Sequence, residues 1–168
     1  MASPATAIPT ITGTYVGTGT IVTINQGPDT LLFSASATPV PDIVALGATL
    51  NNDGIVNIPG TTGTGVFAVA TVNVGASGSI TASADTGSAN LPVTLTLCQT
   101  NPTTGACLAS PSGSVTTTIN ANATPTFGIF VAGTGTVAVN LATNRITVRF
   151  KDGGGITRGA TSVAVRAQ

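Results

Sequence analysis

The chain has 168 residues, of which 6% are charged and 42% hydrophobic, and its formal net charge is zero. His, Glu and Trp are absent, which removes Ser-His-Asp triads and most metal sites, and with Tyr15 the only Tyr a glycan-binding module, which commonly offers an aromatic platform, starts at a disadvantage. The length allows one generous domain, or one full and one partial module, with a core that does not depend on disulfides.

Low charge is typical of membrane and disordered chains, but neither class fits. Residues 86–144 carry no charge, yet Thr, Gly, Asn and Pro interrupt them every few positions. No window approaches the roughly 20 apolar residues of a spanning helix. A membrane barrel needs two aromatic girdles, and five Phe plus one Tyr cannot supply them. The hydrophobic fraction, rich in Val and Ile, argues against disorder. The expectation is an all-β fold, an antiparallel β-sandwich built from Thr- and Gly-rich strands that suit a half-wet pleated surface. The opening "MASPATAIPT" has no basic or long apolar region, so it is read as a mature or excised start and not as a signal peptide.

In chain order, strands are expected at 20–25 and 30–37. "PDIVALGATL", 41–50, reads equally as a short helix or a strand. "NNDG", 51–54, resembles a fragment of a calcium loop without the acidic ligands that should follow, and a plain turn is the better reading. A soft boundary falls at "PGTTGTG", 59–65, giving an N-terminal β segment at 1–62 (a partial module or extra strands on the same sandwich) and a sandwich at 63–168. Strands follow at 65–74, 79–84, 92–98, 114–119, 126–132, 136–141, 145–151 and 162–166, a spacing of about ten residues that suits sandwiches. In "RITVRFK" the residues Ile146, Val148 and Phe150 face one way and Arg145, Thr147, Arg149 and Lys151 the other. Turns at 143–144 and at "DGGG", 152–155, imply a three-stranded C-terminal meander.

Two motifs invite chemistry. Asp85-Thr86-Gly87-Ser88 has the form of an aspartic protease loop. Such enzymes need two carboxylates sharing a proton, and the chain holds one such triplet, since Leu31 follows Asp29-Thr30. Catalysis by Asp85 would require a homodimer, whereas the same residues between two strands are ordinary turn chemistry, which is the reading adopted. In "LCQTNPTTGACL" a four-residue turn centred on Pro102 and Thr103 pairs Cys98 with Cys107 and Leu97 with Leu108. The leucines then face the core and the cysteines the wetter face, at a separation that accepts a disulfide. A Cys98–Cys107 bridge points to an extracellular or cell-surface location. Two thiols without His make half a zinc site, so neither metal nor any other cofactor is expected.

Charge is placed unevenly. Asp29, Asp42, Asp53 and Asp85 precede residue 145 with no basic residue among them, while Arg145, Arg149, Lys151, Arg158 and Arg166 follow, against Asp152 alone. The five cations form a candidate interaction face. It suits head-to-tail association between copies or neighbouring modules, or an anionic polysaccharide; the alternative is protection of an edge strand. Nucleic acid is not expected, because no aromatics interleave with the cations. The uncharged stretch "GVFAVATVNV", 65–74, would accept another chain's strand if it lay at an unpaired edge.

"LPVTLTLCQTNPTTGACL" followed by "NRITVRFKDGGGITRGATSVAVR" resembles immunoglobulin-like modules of large bacterial secreted and cell-surface proteins. The resemblance spans Val66 to Arg166 and implies a spacer, stalk, adhesin unit or filament subunit, with no catalytic residues to carry over. The expected protein is therefore a non-catalytic, non-membrane-spanning structural module. Its partners would be copies of itself or neighbouring surface modules.

Overall fold

Alternation of buried and outward side chains organises the strands Thr64–Asn73, Thr126–Gly133 and Arg145–Asp152 in the computed structural model, which describes residues 22–23, 32–33 and 38–168. The strands are β1 (Val22–Thr23), β2 (Leu32–Phe33), β3 (Ile43–Thr49), β4 (Ile55–Ile58), β5 (Thr64–Asn73), β6 (Gly78–Asp85), β7 (Val93–Thr100), β8 (Ser114–Ile119), β9 (Thr126–Gly133), β10 (Arg145–Asp152) and β11 (Thr157–Ala167). β1 and β2 pair with each other, Val22 opposite Phe33. The other nine form a five-stranded sheet, β4-β11-β10-β6-β8, and a four-stranded sheet, β3-β5-β9-β7. Every pairing is antiparallel except β4 with β11. No helix among the described residues is long and apolar enough to cross a membrane.

From β3 to β10 each strand lies in the sheet opposite its predecessor. The inward residues of both layers therefore meet in one core. Ile80, Ile146, Val148 and Phe150 come from the five-stranded sheet and Val69, Leu97, Phe127, Ile129 and Val131 from the four-stranded one. The rings of Phe127 and Phe150 pack across the layers with centroids 5.4 Å apart and planes tilted by 59°, a favoured aromatic geometry. One flank is closed by unusually near backbones. A Cβ added to Gly159 would fall 1.9 Å from the carbonyl oxygen of Ile43, so only glycine lets β11 approach β3 there.

Residues 43–58 supply β3 and β4, and Ile43, Val56 and Ile58 belong to the core. The segment "PDIVALGATL" is thus a strand over Ile43–Thr49: it forms the edge of its sheet, paired with β5 alone, and turns Ile43 into the core. The expected strand at 136–141 does not form: Val137 alone bridges Ala167. The neighbours of β10 are β11 and β6, so the C-terminal meander is a hairpin, with its third place taken by β6. The stretch 65–74 is not an edge, because β5 is hydrogen-bonded on both sides, by β3 and β9. Most of the strands expected at 20–25 and 30–37, with Asp29, lies outside the described residues.

One buried polar side chain holds the end of this framework together. Asn73 is fully buried. Its Oδ1 accepts from the N–H groups of Asp42 and Gly75 at 3.0 Å each, and its Nδ2 donates to Ala76 at 2.8 Å and Ile119 at 3.1 Å. The side chain so joins the lead into β3, the β5–β6 turn and the end of β8. A buried amide satisfied on both sides fixes backbone positions that apolar packing alone leaves free.

Candidate functional site

Asp85 ends β6, opposite Thr147 of β10. Its Oδ1 accepts from the Gly87 N–H at 2.9 Å, and a short 3-10 turn, Gly87–Ala89, follows. Gly87 has φ +57° and Asn90 φ +44°, left-handed positions that suit Gly and Asn in a reversing chain. The carboxylate also meets Arg149, whose Nε donates to Oδ2 at 2.7 Å. Partial burial works to raise the Asp85 pKa, but the hydrogen bond from Arg149, the Gly87 N–H and the charges of Arg149 and Lys151 outweigh it, and the carboxyl is held below its ordinary value. A carboxylate kept ionised by a cation is the opposite of a proton-sharing dyad. Asp152 is opposite Ile80 on the same strand pair, five residues and about 17 Å away.

The candidate cation row is brought together in part. Arg145, Arg149 and Lys151 stand outward on β10, between the buried Ile146, Val148 and Phe150. Arg166 is opposite Asn57 of β4 and donates to its Oδ1. Arg158 lies where β11 slips register and reaches Asp152, with Nε and Nη2 each 2.7 Å from Oδ2. Arg145 donates to the hydroxyl and carbonyl of Ser162 and to the carbonyl of Leu141. The side chain of Lys151 alone among the five makes no hydrogen bond or ion pair within the described residues.

The separation of acid from base along the sequence is not kept in space. The sheet order sets β6 beside β10, so Asp85 meets Arg149. The pKa of Asp53, just before β4, is lowered first by the Ile55 N–H, then by Thr49, with a smaller contribution from the Arg166 charge on β11. "NNDG" is a turn, with Asn52 and Gly54 at positive φ and the Asp53 carboxylate accepting from Ile55.

Cys98 and Cys107 form a disulfide with Cα atoms 5.6 Å apart. The register differs from the expected one by two residues: Cys107 is opposite Thr100, and Asn101 donates its N–H to the Ala106 carbonyl while its carbonyl accepts from the Gly105 N–H. The Asn101 side chain caps the N–H groups of Thr103 and Thr104, which moves the turn centre past Thr103. Leu97 faces the core as expected, but Cys98 is buried and Leu108 is 62% exposed. The disulfide folds the 101–112 loop against the outer side of β7. There Leu97 and Ser112 exchange backbone hydrogen bonds at 2.8 and 3.0 Å, so the loop covers an edge that would otherwise be open.

The feature missed in the sequence is a face. On the outer side of the four-stranded sheet the cross-strand rows run Val44–Val72, Leu46–Ala70–Thr126 and Ala48–Ala68–Gly128–Cys98, and Val66 is paired with Phe130. None is charged. Leu46 is 70% exposed and Leu50, just beyond β3, 84%. Beside Leu50 lies an open trough of ≈ 290 Å³ lined by Ala48, Val66, Ala68, Gly128 and Phe130, with Gly105 of the 101–112 loop at its wall. The signal was present in "GVFAVATVNV": both alternating sets, Phe67, Val69, Thr71 and Val66, Ala68, Ala70, Val72, lack charge. A strand apolar on both sides needs a cover on both.

No family model matches the chain, and no curated protein matches it. Among solved structures it is similar to one described as "AvmM Catalyzes Macrocyclization in Alchivemycin A Biosynthesis", at 13% identity over 75% of this chain and 88% of that one, with a TM-score of 0.46. That likeness assigns no residue and no reaction to this chain.

Proposed function

We propose that the chain is a non-catalytic, self-associating structural module of an exported surface protein. The observation that carries this is the uncharged outer face of β3, β5 and β9, on which Val44, Leu46 and Leu50 are largely exposed. An apolar patch of this continuity is a contact surface in soluble proteins. The disulfide favours an oxidising compartment, hence an extracellular or cell-surface location. The immunoglobulin-like reading is kept in the broad sense of two packed sheets. The alternation of successive strands between layers is more frequent than in the ABED/CFG order of that fold.

The other readings have less behind them. A retropepsin-like dimer through Asp85 has to break the Arg149 pair before a shared proton is possible. An anionic-polymer surface has to compete for cations that are mostly engaged within the chain. Head-to-tail association by opposite ends has to compete with the pairing of Asp85 and Arg149 within the chain. Light scattering on the unreduced chain over a wide concentration range tests the reading. Mass rising above the monomer supports it, and a monomer throughout removes it.

A further inference from the structure

We infer that the outer face of β3, β5 and β9 is a two-fold interface between copies of this chain, with Leu46 of each copy seated in the trough of the other. The inference rests on the self-associating reading above and names its surface and its partner. Three observations select a second copy as the occupant.

The first is charge. Within β3, β5 and β9 no Asp, Lys or Arg stands on the face, and Asp42, which precedes β3 in the same outward set, is exposed at its end, so two identical faces can meet over the strands without burying an unpaired ion. The second is relief. A two-fold contact joins a patch to itself, so the patch must hold both a projection and its socket. Here Leu46 and Leu50 project, and the row between them is floored by the small residues Ala48, Ala68 and Gly128 and walled by Val66 and Phe130. A leucine side chain fits a socket floored by alanine and glycine. The third is area. Three strands of about eight residues give a face of roughly 14 Å by 27 Å in projection. With the relief of the leucines, two such faces remove about 1,000 Å² from water. That is near the lower bound of specific interfaces, so the expected dimer is a weak, micromolar one.

Sedimentation velocity on the intact, unreduced chain tests this, with three variants beside the wild type. Leu46→Lys puts a charge on the projection, and Ala68→Leu fills the socket without adding charge. Thr118→Lys changes an exposed position on β8 in the other sheet. Because each substitution acts twice in a two-fold contact, Leu46→Lys and Ala68→Leu should each weaken association about 100-fold or more, while Thr118→Lys leaves it unchanged. Leu46 and Ala68 are both exposed, and unchanged circular dichroism and thermal transition certify the fold of each variant. Leu46→Lys or Ala68→Leu associating like the wild type overturns the interface but leaves the self-associating reading standing. A wild type that is monomeric at every concentration overturns both.

Discussion

Arg149 reaches across from β10 to Asp85 at the end of β6, Nε to Oδ2 at 2.7 Å, joining the Asp-Thr-Gly-Ser motif to the basic strand. The pair is part-exposed, with side-chain accessibilities of 37% for Arg149 and 42% for Asp85. Solvent screens such a pair, and its worth is under about 1 kcal/mol. Asp85→Asn should therefore lower stability by less than about 1 kcal/mol in urea titration and leave self-association unchanged. A dimer that dissociates in this variant would return Asp85 to an interface or a dyad.

Stability should respond to acid in a definite window. The pKa of Asp85 and of Asp152 is lowered in the fold: partial burial opposes the charge, but Arg149 and Arg158, with backbone N–H donors, outweigh it. Groups with depressed pKa contribute stability that is fully present above their unfolded value near 3.8 and is lost as pH falls through the folded value. Thermal midpoints should accordingly be flat from neutrality to about pH 5 and fall below about pH 4. With no His in the chain, a step between pH 6 and 7 would contradict the assignment.

Asn73 offers a sharper stability test. Asn73→Ala strands the N–H groups of Asp42 and Gly75 and the carbonyl of Ile119, and should cost about 2–4 kcal/mol. Asn73→Asp keeps the acceptor but loses the donors and buries a charge, so it should be no better. Urea midpoints of the two variants settle the point; a loss below about 0.5 kcal/mol, the range of a plain surface substitution, would mean water substitutes for the amide.

Reduction of Cys98–Cys107 should lower stability by roughly 2.5 kcal/mol in the chain-entropy model for so short a loop. It should also raise hydrogen exchange at the Leu97 and Ser112 amides, which pair across the bridged loop. Exchange unchanged on reduction would show that the 101–112 loop stays on β7 without the bridge.

What was legible in the sequence follows from period. Strands with one apolar set, such as Ile146, Val148 and Phe150 against Arg145, Arg149 and Lys151, declared both their type and their inward side. β8 was expected at 114–119 and is Ser114–Ile119. The cysteine pairing was legible from spacing, but its register was not, because the Asn101 side chain recentres the turn. The strand expected at 136–141 failed because alternation alone cannot say whether a neighbour is free; β6 had already taken the place beside β10. The outer apolar face was hidden by the same ambiguity. An uncharged run such as "GVFAVATVNV" suits a bare edge or an interior strand with two covered faces, and only its pairing with β3 and β9 separates them.

The charge pairing within the sheet and the uncharged face together predict how association depends on salt. Contacts between exposed charges weaken as salt screens them, whereas apolar contacts hold or tighten, most of all in sulfate. The measurement is the dimer dissociation constant of the unreduced wild type by light scattering, from low salt to high salt. A constant that is unchanged or tighter at high salt is the predicted result. Dissociation with rising salt would place the contact on Arg145, Lys151 and their neighbours and contradict the apolar interface.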